Sequence, residues 1–159
     1  MADAAGIDAL DADLVALFAA HPRIGVLEAS RRLGVARGTV QSRLERLERR
    51  GIVQGWGPQV SPVELGYPVT AFLTLEIRQG VGHDTVTRHL ESIPELLEAF
   101  TITGAGDLWC RCVARSNSDL QRVIDAVVAT AGIVRTSTVI ALATQIPFRT
   151  TPLVQSAAR

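Results

Sequence analysis

The spacing of the hydrophobic residues changes once along the chain, near Pro68, and this change constrains the fold more than any other feature. Before Pro68, apolar residues recur with the period of an α-helix, as at Leu10, Leu14, Leu17 and Phe18. After it, every second residue of 69–77 is aliphatic, which is the period of a β-strand. Because helices and strands bury their apolar side chains in different kinds of layer, the sequence predicts a helical N-terminal domain and a sheet-containing C-terminal domain.

Three helices are predicted in the N-terminal domain. The first can be capped by Asp8 or Asp11, and the second covers residues 26–33 and ends at Gly34. The third covers residues 37–50, and only a short turn separates it from the second. Two short helices joined by such a turn form a helix-turn-helix, whose second helix enters the major groove of DNA.

A turn rich in glycine and proline, at residues 55–58, lies between two short extended stretches. This pattern predicts a wing or a hinge after the third helix. Pro62 and Pro68 then bracket a short connector. We therefore expect a winged helix-turn-helix domain at residues 1–60 and a linker at residues 61–68.

The C-terminal half is predicted to have the order β-α-β-β-α-β, which is the ferredoxin-like arrangement. Its predicted elements are a strand at 69–77, a helix at 83–93, strands at 96–103 and 108–115, a helix begun by Ser116 or Ser118, and a strand at 133–146. A glycine-rich turn joins the two middle strands. The chain is thus predicted to be α+β, with a ferredoxin-like domain at 69–149 and a loose tail at 150–159.

The formal net charge is zero, but the charges are distributed unevenly. Residues 23–60 carry eight arginines and three glutamates, a net charge of +5, whereas the only charged residues of 1–22 are four aspartates. The helix-turn-helix region therefore has the positive charge that DNA phosphates attract. All sixteen basic residues are arginine, so the lack of lysine marks no particular site.

No stretch of the sequence has the ~20 apolar residues needed to cross a bilayer, and the N-terminus lacks the features of a secretory signal. We therefore expect a cytoplasmic protein without a membrane partner. Cys110 and Cys112 stand two apart in a predicted strand, which places both thiols on one face and hinders a bridge between them. No second Cys or His pair has metal-ligand spacing, so we expect reduced cysteines, no metal and no cofactor.

Several segments of the chain resemble the Lrp/AsnC, or feast/famine, family of bacterial and archaeal transcription regulators. They are residues 7–11, Arg23-Ile24, Leu33-Gly34-Val35, residues 39–53, Gly104 with Asp107, and the Arg-Thr-Ser-Thr run at 135–138. The resemblance covers residues 7–146, nearly the whole chain. It implies an N-terminal domain that binds double-stranded DNA and a C-terminal domain that dimerises and, in many members, senses an amino acid.

By this resemblance, the third helix directs six side chains toward DNA: Arg37, Thr39, Gln41, Ser42, Arg43 and Arg46. Arginine pairs with guanine edges and glutamine with adenine, while further arginines suit phosphates. The alternative is a solvated helix face whose glutamates and arginines pair with one another. One position departs from the family, because Ala36 stands where serine commonly caps this helix; Thr39 could cap it instead, or the helix could begin late at Gly38.

The resemblance also implies an effector site around the turn between the middle strands. Its candidate residues are Gly104, Gly106, Asp107, Thr136 and Thr138. Backbone amides of the turn could receive a carboxylate, and Asp107 could receive an ammonium group. The alternative is an ordinary turn, in which glycine provides positive φ and Asp107 is a turn former.

The two predicted helices of the C-terminal half cover only one face of its sheet, and the last strand is apolar on both faces. We therefore expect a homodimer through this sheet. Assembly to a higher oligomer, an octamer, is implied by the family resemblance alone.

The function expected is a sequence-specific DNA-binding transcription regulator tuned by a small molecule such as an amino acid, and not an enzyme. One alternative is an enzyme similar to the sirohaem decarboxylases, which resemble this family. Tetrapyrrole chemistry gives no reason for a positively charged helix-turn-helix, however, and the C-terminal half lacks a convergent cluster of His and Arg. Another alternative is an architectural DNA-compacting protein, which would differ only in its specificity ratio.

Overall fold

A computed structural model describes residues 6–78, 80 and 83–158 of the protein. The elements in chain order are α1 (Ala9–Ala20), α2 (Val26–Leu33), α3 (Arg37–Arg49), β1 (Val69–Ile77), α4 (His83–Glu91), β2 (Leu96–Thr101), β3 (Leu108–Ala114), α5 (Asn117–Val128), β4 (Ile133–Ile140) and α6 (Thr151–Ala157). The described residues form two compact units, an N-terminal unit of residues 6–58 with 146–158 and a C-terminal unit of residues 59–145. Over these residues, no helix has the length and apolar character that crossing a membrane requires.

Local sequence signals explain where the first helices begin and end. Asp8 caps α1, because its side chain accepts a hydrogen bond from the backbone N–H of Asp11, and the Asp11 carboxylate accepts one from the backbone N–H of Asp8. Gly34 ends α2 in the left-handed conformation, at φ 66°, which glycine adopts without strain. The predicted helix-turn-helix is confirmed, and Asp8 is the N-cap of the two candidates.

The helices α1, α2 and α3 pack around a small apolar core. Its buried residues are Leu14, Phe18, Ala29, Val40 and Leu44. Val40 and Leu44 stand four apart in α3, so they share the face of that helix that turns toward α1 and α2. The core therefore decides which face of α3 points outward.

Residues 52–60 were predicted to form a wing or a hinge. The wing is wrong, because this segment forms no strand in the described structure. Its glycines and Pro58 weaken a β-ladder, since glycine loses more entropy on ordering and proline has no N–H to donate. Trp56 instead packs edge-on against Phe18, with ring centroids 5.2 Å apart, and its indole N–H donates to Oε1 of Glu48 at 2.6 Å. Trp56 thus attaches the segment to the N-terminal unit.

The prediction of a loose tail after Thr150 is also wrong. Residues Thr151–Ala157 form α6, which contacts α1, and Ala158 pairs with Ile7 in an isolated parallel β-bridge. A proline in the first turn suits the start of this helix. The order of the tail depends on a contact with α1 at the other end of the chain, which the local pattern of the tail does not reveal.

The sheet of the C-terminal unit has the strand order β2-β3-β1-β4, and its neighbouring strands are all antiparallel. The helix α4 connects β1 to β2, and α5 connects β3 to β4, which confirms the predicted ferredoxin-like order. Of the two candidate caps, Ser116 begins α5, where its Oγ accepts a hydrogen bond from the backbone N–H of Asp119.

One face of the sheet packs against α4 and α5 and forms the larger core of the molecule. Alternate residues of β1 and β3 and the inner faces of both helices are buried there, among them Leu73, Leu75, Cys110, Cys112, Val86, Leu90, Leu120 and Val123. Both cysteines are free, and burial raises the pKa of each thiol to about 11. The expectation that both thiols lie on one face is confirmed, and the raised pKa keeps the thiols protonated near neutral pH.

The opposite face of the sheet, which we call the open face, carries aromatic and aliphatic side chains. Phe72 stacks on Trp109 with ring centroids 4.9 Å apart, and Phe100 lies 6.0 Å from Trp109. Phe100 and Val139 are more than half exposed, at 51% and 61%.

The last strand is shorter than predicted, because β4 ends at Ile140 and not at Ile146. In the antiparallel pair, Ile140 lies opposite Ala71, and the backbone N–H of Ala141 donates to the carbonyl of Thr70 at 2.9 Å. The partner strand begins at Val69, directly after Pro68, so the ladder has no further partner. The β-branched residues beyond Ile140 suggested a strand, but a strand also needs a neighbour.

Candidate nucleic-acid interface and effector cleft

The outer face of α3 presents polar side chains near its N-terminal end. Arg37, Gln41 and Ser42 are exposed, and Thr39 is half-buried. Nε2 of Gln41 donates to Oε1 of Glu45 at 2.8 Å, which holds the amide in place along the helix surface. These are the predicted DNA-facing residues that the structure leaves open to a partner.

The helix α3 begins at Arg37 with Ala36 as its N-cap, and the alternative of a late start at Gly38 is wrong. The cap makes no side-chain hydrogen bond. Backbone bonds from the N–H groups of Thr39 and Val40 to the carbonyl of Ala36, at 3.0 and 3.2 Å, form the first turn instead. The outward facing of the residues that follow is therefore set by the core contacts of α3 and not by a capping side chain.

Two of the predicted DNA-binding arginines, Arg43 and Arg46, are engaged within the protein. Nη1 of Arg43 lies 2.5 Å from Oδ2 of Asp8 and 3.0 Å from Oδ1 of Asp11. Nη2 of Arg46 forms an ion pair with Oδ2 of Asp11. The local pattern predicts Asp8 or Asp11 as the cap of α1 but does not reveal their ion pairs with α3, because these pairs join residues more than thirty positions apart.

The charges of this cluster shift one another's titration. The hydrogen bond from Arg43 holds the pKa of Asp8 below its ordinary value of 3.8, and the backbone N–H of Asp11 lowers it further. The hydrogen bond to Asp8 in turn raises the pKa of Arg43. Asp8 therefore remains ionised, and Arg43 remains paired, throughout the pH range near neutrality.

The turn between β2 and β3 is built from glycines with positive φ, 108° at Gly104 and 125° at Gly106. A Cβ added at Gly106 would lie 2.5 Å from Cγ2 of Thr74 and 3.3 Å from the carbonyl oxygen of Leu75. Gly106 therefore permits a close approach of the turn to β1 that no other residue allows. Gly104 has open space around it, so glycine is favoured there only because of its positive φ.

Asp107 joins the same turn to β1. Its backbone N–H donates to the carbonyl of Leu75 at 2.8 Å, and its Oδ2 accepts from the backbone N–H of Ile77 at 2.6 Å. This carboxylate thus accepts a hydrogen bond from a residue of β1 that lies beyond the start of β3 in the antiparallel pair. Asp107 therefore stabilises the turn, whether or not it also contacts a ligand.

A cleft of about 310 Å³ lies next to this turn on the open face of the sheet. It is lined by Thr74, Glu76, Ala105, Arg135 and Ser137. Nη1 of Arg135 is 3.7 Å from Oε1 of Glu76, so the cleft holds one positive and one negative side chain that are both partly exposed. Such a pair suits a small ligand that carries both an ammonium and a carboxylate group.

Thr136 and Thr138, which were predicted at the effector site, do not line this cleft. They pair with Leu75 and Leu73, whose side chains point into the core, so the threonines lie on the helix-covered face of the sheet. The alternate residues Arg135 and Ser137 lie on the open face with the cleft. Alternation along the strand separates Arg135 and Ser137 from the two threonines, but which pair lies on the open face depends on the register of β4 against β1.

The described residues contain no group of three or more His, Cys, Asp or Glu side chains that could hold a metal ion. The two sites offer hydrogen bonds and charge on α3, and a polar cleft beside a glycine-rich turn.

The chain combines a helix-turn-helix that exposes a polar helix with a β-α-β-β-α-β unit that has a polar cleft. This combination is that of a DNA-binding regulator with a separate ligand-binding domain. Residues 7–48 match the model of the AsnC-type helix-turn-helix domain, and residues 70–151 match that of the Lrp/AsnC ligand binding domain. The chain belongs to the Lrp/AsnC family of transcription regulators.

Individual relatives agree with this assignment. The regulatory protein AsnC of Escherichia coli K12 is 30% identical over 118 residues, which are 74% of this chain and 78% of AsnC. The solved structure of E. coli AsnC superposes with a TM-score of 0.83 at 29% identity, over 92% of this chain and 99% of that one. The feast or famine regulatory protein of M. tuberculosis, solved in complex with L-methionine, has a TM-score of 0.78 at 30% identity, over 89% and 96% of the two chains.

Proposed function

We propose that this protein is a sequence-specific DNA-binding transcription regulator whose activity is tuned by a free amino acid bound at the cleft beside residues 104–107. The observation that carries the proposal is the juxtaposition of Glu76 and Arg135 in that cleft, 3.7 Å apart and next to a turn of glycines. The two charges complement the two charged groups of a zwitterion. A solved relative from M. tuberculosis binds L-methionine, which supports the same ligand class here.

The DNA-reading part of the proposal rests on the exposed residues of α3. Arg37, Gln41 and Ser42 have the donors and acceptors that read base edges in the major groove, and the inner face of the helix is occupied by the core. Replacing Arg37 with alanine is expected to weaken binding to a preferred duplex by about 1–3 kcal/mol. The preferred duplex is obtained by enriching a random pool with the wild-type protein.

The matched control for Arg37→Ala is Arg88→Ala, which removes the same charge from an exposed arginine of the C-terminal unit. Fluorescence anisotropy against the enriched duplex and a scrambled one separates base reading from phosphate contact. Equal losses for Arg37→Ala and Arg88→Ala would contradict the assignment of α3 as the reading helix.

The effector part is tested by thermal shift with each of the standard amino acids. A ligand that binds only the folded protein at about a hundred times its Kd adds ~2.7 kcal/mol of stability. We expect Glu76→Gln and Arg135→Gln to abolish this gain. The pair Glu98 and Arg111, 3.0 Å apart on the same face but outside the cleft, provides the control variant Glu98→Gln.

Asp107 is replaced by asparagine in the same test. Asparagine retains an oxygen that can accept the hydrogen bond from the N–H of Ile77, so the variant removes the charge and leaves the turn in place. Loss of the amino-acid response with unchanged stability would assign Asp107 a ligand role. An unchanged response would leave it as the turn residue that its hydrogen bonds describe.

The open face supports assembly as a homodimer. Phe72, Trp109, Phe100 and Val139 form a partly exposed apolar patch on the face of the sheet opposite to the one that α4 and α5 cover. We propose that a second copy covers this patch, and that the dimers assemble further into an octamer, as the family resemblance implies. Light scattering that gives a stable monomer of 17.0 kDa at micromolar concentration would contradict both steps.

A further inference from the structure

Two aspartates at the N-terminal end of α1, its N-cap Asp8 and Asp11 in its first turn, pair with two arginines of α3. Asp8 and Asp11 are the acidic members, Arg43 and Arg46 the basic ones, and we call these four residues the aspartate–arginine cluster. The Asp11 side chain is fully buried, whereas that of Asp8 is 46% exposed. The cluster joins the N-terminal end of α1 to the middle of the helix proposed to read DNA.

Each carboxylate oxygen of Asp11 has a partner. Oδ1 accepts from Arg43 at 3.0 Å, while Oδ2 accepts from Arg46 and from the backbone N–H of Asp8 at 3.2 Å. A buried carboxylate is costly unless it is paired and hydrogen-bonded, so the folded state requires both arginines to remain close to Asp11.

The two arginines nevertheless reach the protein surface. Their side chains are 25% exposed at Arg43 and 40% exposed at Arg46. A guanidinium already shared with carboxylates offers less of its charge and fewer of its donors to a phosphate, because binding the phosphate means giving up part of the existing pairing. Arg37, in contrast, forms no ion pair with the residues that the structure describes.

We propose that Asp8 and Asp11 are positioning residues that raise the DNA specificity of this protein by competing with DNA phosphates for Arg43 and Arg46. The proposal rests on the DNA-binding function proposed above and names how that function is regulated within the helix-turn-helix. Specificity is the difference between the affinity for the preferred duplex and the affinity for other DNA. Weakening the sequence-independent affinity therefore raises specificity as effectively as adding a base contact. Base reading is left to the exposed side chains of α3.

The test uses Asp8→Asn in the full chain. Asparagine is as good an N-cap as aspartate, so α1 keeps its first turn while Arg43 loses a charged partner. Affinity for the enriched duplex and for a scrambled duplex of the same composition is measured by anisotropy across a salt series. We expect severalfold tighter binding to the scrambled duplex, a lower specificity ratio, and a salt slope steeper by about 0.9 for one added phosphate contact.

Asp13→Asn is the matched control. Asp13 lies exposed on the same helix and forms no ion pair with any described residue, so its replacement changes the net charge by the same amount without releasing an arginine. The double variant Asp8→Asn, Arg43→Gln then removes the released cation. We expect its salt slope to return to the wild-type value.

Three results would overturn the proposal: equal changes for Asp8→Asn and Asp13→Asn, weaker binding of Asp8→Asn to both duplexes, or a steep salt slope that persists in the double variant. In each of these cases the wild-type protein still binds its enriched duplex, so the proposed function stands. A wild-type protein that binds no duplex at any salt concentration would instead overturn both.

Discussion

Each of the two units of the molecule is stabilised internally by a different kind of interaction. Among the residues that the structure describes, the buried cluster of the C-terminal unit has fourteen apolar residues, whereas that of the helix-turn-helix has five. The smaller core is supplemented by a fully buried carboxylate, Asp11, with arginine partners on another helix. The sheet unit depends on apolar burial, and the helix-turn-helix depends in part on directed charge.

This difference follows from what each unit must leave exposed. Three short helices that keep one polar face free for DNA have little surface left to bury. Ion pairs with defined geometry compensate, because they fix the orientation of a helix as well as its distance. A sheet covered by two helices buries more apolar surface, so its ion pair between the buried Glu95 and Arg122 of α5 is a smaller part of what stabilises it.

The largest effect is expected for Leu73→Ala, at the centre of the sheet core. Leu73 is fully buried, and truncation of such a leucine costs about 2–5 kcal/mol of unfolding free energy through lost burial and the cavity that remains. Denaturant unfolding followed by Trp109 fluorescence, in a Trp56→Phe background, measures it. The exposed Leu97 provides the control, and a cost for Leu73→Ala no larger than for Leu97→Ala would contradict the dependence on apolar burial.

A smaller but substantial effect is expected for Asp11→Ala in the N-terminal unit. Removal of one partner from a buried ion pair is strongly destabilising, but Arg43 and Arg46 are partly exposed and regain solvent, so we expect about 2 kcal/mol. Trp56 fluorescence in a Trp109→Phe background reports on this unit. Asp13→Ala is the control; if it costs as much as Asp11→Ala, the cluster does not stabilise the helix-turn-helix.

The pH dependence of stability sharpens the comparison further. Arg43 lowers the pKa of Asp8 in the folded state. The stability that the ionised Asp8 contributes is therefore complete above its ordinary pKa of 3.8 and is lost as the pH falls through the lower pKa of the folded state. We expect the stability difference between the wild type and Asp8→Asn to shrink as the pH is lowered below 3.8. Unfolding curves from pH 7 to pH 2 measure this difference, which would stay constant if the ion pair were not involved.

The smallest effect is expected for removal of residues 151–158. None of the residues of α6 is buried, so its contact with α1 and the Ile7–Ala158 bridge stabilise the N-terminal unit by about 1 kcal/mol or less. Unfolding monitored at Trp56 gives the value, with Trp109 as the internal reference for the other unit. A loss comparable to that of Asp11→Ala would show that the tail supports the small core as strongly as the buried carboxylate does.

The elements that the sequence predicted correctly are those whose signals are local. Gly34 ends α2, Asp8 caps α1 and Ser116 caps α5, and each of these signals lies within a few residues of the boundary it sets. The change from helical to alternating spacing at Pro68 likewise separated the helical part from the sheet. Among the predictions that failed, that of the long last strand concerns a segment beyond the end of its partner strand, and that of the loose tail concerns a segment that contacts α1 at the other end of the chain.

The sites divide in the same way. The sequence by itself determined that α3 carries arginines and polar residues, and that a glycine-rich turn precedes β3, because residue type and spacing along one element carry that information. Only the tertiary structure decided that Arg43 and Arg46 turn toward α1, and that Arg135 and Ser137 line the cleft while Thr136 and Thr138 do not. Ion pairing across the fold and strand register are relations between distant segments, and their energies arise only when packing brings those segments together.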